Sequence, residues 1–372
     1  MNSEVRDTVC SFGNLYNAMM KCKRGTIWKD SVAGFVLNGL VKVHRLKESL
    51  ENGAYKIDPY STFQVHEPKT RDILSTRFKD RTFQKSLSDN YFYDEMVRSF
   101  IHDNGACQTG KGTEFERKRL IRHMQKYYRQ NGSDGWVLTS DLKNFFGNTS
   151  HFLAYAAVTK RIKDPWVRSE IKRIIDSFNY GPDPTVGMGL GSEITQTIQS
   201  AVLDEFDHFV KEQLRIKFYE RYNDDFVIIH PDKEYLKCCL TEIDDWFTKR
   251  GLTLHPRKTQ ISKLAQGIKF LGFRYRLTDT GRVLMTLLPK KVSHERRKLR
   301  KLIGLVEKGL VTMDDVDVVY RSFKAHIGNE SKKKKTDPGR RAHRNCHGLT
   351  LVMDAYYKKL KEDCNVRLQE YA

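Results

Sequence analysis

The stretch RYNDDFVIIH places Asp224 and Asp225 side by side between two segments that have the composition of buried strands. Phe218 to Tyr222 and Phe226 to Ile229 are rich in aromatic and β-branched residues, and Asn223 and Asp224 favour tight turns. The pattern predicts a β-hairpin. One interpretation is an ordinary hairpin with an Asn-Asp turn. Two adjacent carboxylates repel each other, however, and a divalent cation such as Mg²⁺, which binds carboxylate oxygens, would remove that repulsion.

A third carboxylate, at the end of another predicted strand, suits the same kind of site. In WVLTSDLKNFF, Trp136 to Thr139 read as a strand, and Asp141 lies at its C-terminal end. Asp141 is a candidate metal ligand for phosphoryl transfer, a reaction that depends on positioning and on neutralising charge. The alternative is that Asp141 is the N-cap of a helix that begins in LKNFF.

Composition narrows the class of protein. The chain has 372 residues, enough for two or three domains, and a formal net charge of +20. This excess favours polyanionic partners, nucleic acid above all, although an anionic membrane surface or solubility could also use it. The seven cysteines show no CxxC pair and no zinc-finger spacing, so neither a zinc site nor a disulfide framework is expected. No signal peptide and no apolar run of roughly 18 residues is found, so we expect a cytoplasmic protein that does not enter a membrane.

The order of predicted elements indicates an α+β fold. Residues 1 to about 130 look α-rich with a small sheet, and residues 131 to 290 alternate strand candidates with amphipathic helices. Residues 291–372 contain three helical patterns, separated in part by the charge run KKKKTDPGRRAHR. That run is either a solvated loop or a loop that contacts phosphates.

Several motifs in chain order resemble those of reverse transcriptases, in the prokaryotic lineage that includes group II intron, retron, diversity-generating retroelement and antiphage-defence enzymes. RYNDDFVII resembles the family's Tyr-x-Asp-Asp hairpin, DLKNFF its first palm motif, and GMGLGSEITQ the glycine-rich loop before a long palm helix. LTLHPRKTQIS and GIKFLGFRY resemble the two motifs that follow the hairpin. HEPKTRDI and RFKDRTFQKSL resemble the fingers motifs.

The resemblance implies a right-hand polymerase fold with fingers, an antiparallel-sheet palm and an α-helical thumb. Fingers with an N-terminal helical extension are expected at residues 1–130, the palm, with part of the fingers interleaved, at 131–290, and the thumb at 291–372. The implied activity is RNA-directed DNA polymerisation, in which a primer is extended from dNTPs by a two-metal-ion mechanism. The alternative is a catalytically silent, polymerase-like scaffold that binds RNA.

The resemblance also implies roles for individual residues. The expected metal ligands are Asp141, Leu142, Asp224 and Asp225, with Lys258 as a general acid for pyrophosphate. The expected substrate-binding residues are Lys69, Arg71, Phe146, Leu190, Gly191, Gln196 and Tyr222. The expected primer grip is Phe270, Leu271 and Gly272.

Three of these assignments have structural alternatives. Lys69 and Arg71 could be ordinary exposed charges of a loop. Phe270 and Gly272 could serve strand packing, and Phe145 or Phe146 could be a core aromatic below the strand.

The implied cofactor is Mg²⁺, with Mn²⁺ as an alternative. The implied partners are an RNA template, a DNA or RNA primer and dNTPs, together with a structured non-coding RNA or an accessory protein. Both diversity generation and antiphage defence remain open as biological roles.

Overall fold

A computed structural model describes residues 4–66, 70–180, 182–327 and 347–370. Lys69, Cys346 and the charge run that follows Ser331 lie outside the described residues. The chain divides into two compact units. The first comprises Met1–Glu116, Leu138–Ile228 and Glu234–Gln260, and the second comprises Arg117–Val137, Ile229–Lys233 and Ile261–Ala372.

Helices and a small sheet open the chain, as expected from the sequence. The elements up to the first long loop are α1 (Glu4–Cys10), α2 (Phe12–Cys22), α3 (Asp30–Leu37), α4 (Gly39–Glu51), β1 (Ser61–Val65), β2 (Arg71–Ser75), α5 (Phe78–Leu87), a π-helical turn (Ser88–Phe92) and α6 (Tyr93–Val97). Strands β1 and β2 pair antiparallel, with Ser61 opposite Ser75 and Val65 opposite Arg71. Arg71 therefore begins the second strand of a hairpin.

The middle of the chain alternates strands and helices. Its elements are α7 (Thr113–Asn131), β3 (Trp136–Ser140), α8 (Phe145–Asn148), α9 (His151–Arg161), α10 (Pro165–Asp176), α11 (Glu193–Val202), α12 (Asp204–His208), a π-helical turn (Phe209–Gln213), β4 (Phe218–Tyr222), β5 (Asp225–His230), α13 (Lys233–Thr248) and β6 (Gln260–Lys263). Strands β3 to β6 form a four-stranded sheet in the order β4-β5-β3-β6. The strand that ends before Asp141 is thus the neighbour of the strand that begins at Asp225.

The local sequence explains where α10 begins. The Asp164 side chain accepts a hydrogen bond from the Val167 backbone N–H at 2.9 Å, and Pro165 occupies the first turn, where its missing N–H costs nothing. Along α10 the buried residues recur at helical spacing and include Val167, Ile171 and Ile174. The helix therefore presents one apolar face to the core of the first unit.

The C-terminal part contains a second sheet and three helices. Its elements are a 3₁₀ turn (Leu264–Gln266), β7 (Ile268–Phe270), β8 (Phe273–Leu277), β9 (Val283–Leu287), α14 (Pro289–Glu307), α15 (Met313–Ile327) and α16 (His347–Glu370). The three strands pair antiparallel in the order β7-β8-β9. The three C-terminal helical patterns are confirmed as helices.

Helices α14 to α16 share an apolar core. Its buried members are Leu299, Ile303, Val316, Tyr320, Met353, Tyr357 and Cys364. The rings of Tyr320 and Tyr357 stack with centroids 4.2 Å apart. The Tyr320 hydroxyl donates to Asp354 at 2.7 Å and the Tyr357 hydroxyl to Asp317 at 2.8 Å, so each phenol on one helix is satisfied by a carboxylate on the other. Within the described ranges, no helix has both the length and the apolar character needed to cross a bilayer.

Candidate active site

The Asp-Asp hairpin forms as the sequence predicts. Strand β4 ends at Tyr222, β5 begins at Asp225, and Asn223 and Asp224 make the turn between them. Asn223 has φ +53°, a left-handed conformation that asparagine tolerates better than most residues. The turn chemistry therefore places two carboxylates at the start of β5, and both side chains remain partly exposed.

Burial and mutual repulsion disfavour full ionisation of these two carboxyls. Burial, together with the charge of Asp224, raises the pKa of Asp225 to about 7. Burial also raises the pKa of Asp224, while the charges of Arg71 and Arg221 act in the opposite direction. The pair thus lacks enough positive charge of its own, and a bound cation would supply it.

Asp141 directly follows β3 and is 4% exposed. Its backbone carbonyl accepts a hydrogen bond from the His255 N–H at 2.7 Å, and its carboxylate forms an ion pair with Lys258. The next helix, α8, begins at Phe145 after Asn144, so the alternative that Asp141 is an N-cap is wrong. The structure instead brings together two residues that the sequence assigned to the reaction, Asp141 and Lys258.

The three carboxylates suit a hard divalent cation by their chemistry, because such ions prefer carboxylate oxygens. Asp141 already pairs with the ammonium of Lys258, whereas burial raises the pKa of both Asp224 and Asp225. Their ligand oxygens do not all lie within 4.8 Å of one another. Leu142 is 3% exposed and forms an isolated antiparallel bridge with Leu254, which fixes the backbone beside Asp141.

The two adjacent phenylalanines of LKNFF have different surroundings. Phe145 is 4% exposed, whereas Phe146 is only partly buried. Their rings meet edge to face with centroids 5.9 Å apart. The Phe146 carbonyl accepts a hydrogen bond from the Met188 N–H at 2.7 Å, which ties this turn to the glycine-rich loop. Phe145 is therefore the core aromatic, and Phe146 is the more exposed of the two rings.

The glycine-rich loop lies close to the β1-β2 hairpin. A Cβ on Gly191 would lie 2.3 Å from the Leu74 carbonyl oxygen in β2, so only glycine fits without a shift. Leu190 precedes it in the turn, and Gln196 is exposed on α11. Arg71, at the start of β2, is exposed, and its charge acts on Asp224. Arg71 is thus near the Asp-Asp hairpin, and Lys69 lies outside the described residues.

The predicted primer-grip residues lie in the second unit, at the end of β7 and in the turn to β8. Phe270 is 4% exposed. Leu271 has φ +47° and Gly272 has φ +86°, the two left-handed residues of a tight hairpin turn. A leucine rarely adopts this conformation, and such strain tends to persist at functional positions.

The sequence did not single out a buried ionic group behind the hairpin. Arg221 and Asp207 are both 0% exposed and form an ion pair at 2.5 Å. Tyr219 donates its hydroxyl to Asp207 at 2.6 Å. The available signal was FYERY itself, because an arginine inside a strand of aromatic residues requires a buried partner.

Comparison with known proteins identifies the family. The model for "Reverse transcriptase (RNA-dependent DNA polymerase)" matches residues 66–275, more than half of the chain. No curated protein sequence matches.

Solved structures that are similar to this chain include two telomerases. The apo telomerase from Candida tropicalis, truncated from its C-terminal domain, is 11% identical with a TM-score of 0.47, over 62% of this chain and 56% of that one. The telomerase from Candida albicans, in complex with a fragment of telomeric RNA, is 10% identical with a TM-score of 0.45, over 85% of this chain and 61% of that one. The chain therefore spans just over half the length of the first of these proteins.

The family match, with the antiparallel sheets and the C-terminal helices, confirms the predicted α+β right-hand polymerase fold class. The predicted boundaries of fingers, palm and thumb stay a prediction. Since the matching region runs from the fingers motifs through the Asp-Asp hairpin to the strand after Gly272, the chain belongs to the reverse transcriptases, the RNA-dependent DNA polymerase family of nucleotidyltransferases.

Proposed function

We propose that this chain is an RNA-directed DNA polymerase that extends a DNA or RNA primer along an RNA template by adding dNTPs. The observation that carries the proposal is the placement of carboxylates on neighbouring strands: Asp141 after β3, and Asp224 and Asp225 at the start of β5. A protein that only binds RNA has no need of this arrangement, because the carboxylates repel both one another and the phosphates of the ligand.

Asp141, Asp224 and Asp225, with the backbone at Leu142, would hold the divalent cations, Mg²⁺ or alternatively Mn²⁺. When bound, such ions lower the pKa of a 3′-hydroxyl and neutralise the triphosphate and the leaving pyrophosphate. The family as a whole uses divalent metal ions. The specific ion and the two-metal mechanism are part of our proposal.

The chain's own residues bind and orient the substrates. Arg71 is exposed near Asp224 and would bind the triphosphate, with Lys69 beside it in sequence. Lys258 would hold a proton for the leaving pyrophosphate. Phe146 would lie under the sugar of the incoming nucleotide. Additional contacts to the nucleotide are assigned to Leu190, Gly191, Gln196 and Tyr222, and contacts to the primer end to Phe270, Leu271 and Gly272.

We infer that the protein acts in the cytoplasm of a prokaryote, in a retroelement such as a diversity-generating retroelement or in antiphage defence. The support is in the glycine-rich loop, where Leu190, Thr195 and Gln196 resemble the diversity-generating enzymes. A structured non-coding RNA or an accessory protein would then be a further partner. Sequencing the nucleic acid that copurifies with the protein tests this assignment, because a retroelement enzyme should retain its own template RNA.

Primer extension on a primed RNA template, with dNTPs and Mg²⁺, tests the activity. We expect extension by the native protein and its loss in Asp141→Asn and Asp224→Asn variants that keep the native melting temperature. Native protein that binds the primed RNA without extending it would instead support the silent scaffold. Full activity of both variants would rule out the assigned metal site.

A further inference from the structure

A buried ionic network lies directly behind the Asp-Asp hairpin, within the first unit. Arg221 on β4 donates from Nε to Asp207 Oδ1 at 2.6 Å and from Nη2 to Asp207 Oδ2 at 2.5 Å. The Tyr219 hydroxyl donates to the same carboxylate at 2.6 Å. Because Arg221 and Asp207 are completely buried, no solvent competes for these bonds.

The same guanidinium also holds the hairpin turn. Arg221 Nη1 donates to the backbone carbonyl of Asn223 at 2.9 Å. That carbonyl belongs to the peptide unit that leads into Asp224, so its orientation sets the direction in which the next residue leaves the turn. The contact is made at Asn223, whose left-handed backbone conformation is an unfavourable one for residues other than glycine.

The backbone of Arg221 is fixed as well. Its N–H donates to the Asp103 carbonyl at 3.0 Å, and its carbonyl accepts from the Gly105 N–H at 3.4 Å. Nη2 also reaches the Ser200 carbonyl at 3.4 Å. The loop at Asp103 and Gly105 therefore holds the backbone of Arg221, and helices α11 and α12 hold its side chain, while Nη1 donates to the turn.

The buried pair of Arg221 and Asp207 is better suited to positioning the hairpin than to stabilising the fold. A buried ion pair is rarely more stabilising than an apolar pair of the same volume, because both charges must be desolvated. Arginine differs from lysine in offering a planar fork of donors, which can hold a carboxylate with two bonds and a carbonyl with a third. The charge of Arg221 also acts on Asp224, so a test of the geometry needs a variant that keeps this charge.

We propose that Arg221, clamped by Asp207, is a positioning residue of the polymerase site: it fixes the Asn223 carbonyl and so aims the Asp224 and Asp225 carboxylates at the divalent cations. This inference rests on the proposed function. It assigns Arg221 no contact with substrate or metal.

Three variants separate the geometry from the charge. Arg221→Lys keeps the charge and loses the fork. Asp207→Asn leaves Arg221 in place but offers it only one acceptor oxygen. The double variant Arg221→Gln with Asp207→Asn replaces the neutral ion pair by two neutral groups that can still hydrogen-bond.

A second buried pair provides the matched control. Arg161 and Asp204 lie 2.5 Å apart with side chains 10% and 2% exposed, and Asp204 lies on α12 like Asp207. The hydrogen bonds of Arg161 go to Ser99, Ala157 and Asp204 and not to the hairpin. Arg161→Gln with Asp204→Asn therefore removes a comparable ion pair without touching the turn.

The experiment measures Mn²⁺ binding to the full chain by electron paramagnetic resonance, melting temperature, and the Mg²⁺ concentration needed for half-maximal primer extension. We expect the Mn²⁺ dissociation constant to rise at least tenfold in the three variants and the Mg²⁺ requirement to rise with it. The control should lose a similar amount of melting temperature while its metal binding stays within twofold of native. Asp224→Asn gives the reference for loss of a metal-binding carboxylate.

Folded Arg221 and Asp207 variants with native Mn²⁺ affinity would overturn the proposal. Failure of all three variants to fold, while the control pair folds, would also overturn it, because the role would then be structural. Native protein that binds Mn²⁺ but does not extend a primer would refute the polymerase activity instead, and the Mn²⁺ comparison would still decide whether Arg221 aims the carboxylates.

Discussion

Gly191 lies against the backbone of Leu74, so closely that a Cβ on residue 191 would come within 2.3 Å of the Leu74 carbonyl oxygen. Leu74 pairs with Thr62 in the β1-β2 hairpin, and Arg71 begins the same strand. The glycine-rich loop thereby sets the position of the hairpin that carries the proposed triphosphate-binding arginine.

Gly191→Ala should displace β2, because a backbone carbonyl cannot move aside as a side chain can. We expect the KM for dNTPs to rise about tenfold, and the free energy of unfolding to fall by about 1 to 3 kcal/mol from overpacking. Gly34→Ala is the control, since a Cβ there meets nothing within 4 Å. Steady-state kinetics of the two variants make the comparison. An unchanged KM for dNTPs in Gly191→Ala would show that the glycine-rich loop does not contribute to nucleotide binding.

Lys258→Gln tests the ion pair with Asp141. If Lys258 gives a proton to pyrophosphate, the single-turnover rate should fall about a hundredfold, the usual scale of general acid catalysis, while primer-template affinity holds. If Lys258 only neutralises Asp141, the rate should be retained and less Mg²⁺ should be needed, because the metal no longer competes with the ammonium. Lys249→Gln, which removes an exposed lysine on the helical turn after α13, serves as the control.

Phe146→Ala tests the choice of sugar. A ring under the sugar leaves room for the 2′-hydrogen of a deoxynucleotide but not for a hydroxyl, so the variant should incorporate ribonucleotides more readily and keep some extension. Phe145→Ala should instead lower the free energy of unfolding by about 3 to 5 kcal/mol, because this ring is buried. Single-nucleotide kinetics with both sugars decide the matter, and an active Phe146→Ala enzyme with native sugar preference would contradict the assignment.

Glu116→Gln should stabilise the protein at alkaline pH. Glu116 is 0% exposed, and burial raises its pKa from 4.5 to about 7. The unfolded chain releases this proton near pH 4.5 and the folded chain only near pH 7, so native stability falls as pH rises through that window. At pH 8 the variant should gain on the order of 1 to 3 kcal/mol, and at pH 4 almost nothing.

Denaturant unfolding at both pH values measures this effect. The exposed residue Glu242 supplies a control, since Glu242→Gln should change stability little at either pH. A Glu116→Gln protein that is no more stable than native at pH 8 would show that the folded state tolerates the ionised carboxylate.

The sequence by itself determined the hairpin, the adjacent carboxylates, the strand before Asp141 and the three C-terminal helices. Each of these depends on neighbours in the chain: alternation of strand residues, an asparagine that accepts a left-handed turn, and apolar residues at helical spacing. The order of the motifs could also be determined from the sequence, because it is a property of the chain and not of its packing.

Only the tertiary structure decided which charges meet. Nothing local pairs Arg221 with Asp207 or Lys258 with Asp141, and nothing local tells Phe145 from Phe146, which are adjacent and chemically identical. Burial separates the two rings, and burial together with distant charges moves the pKa values of Glu116 and Asp225. Desolvation and charge pairing depend on atoms that the fold brings close from elsewhere in the chain, so they exist only once the chain has folded.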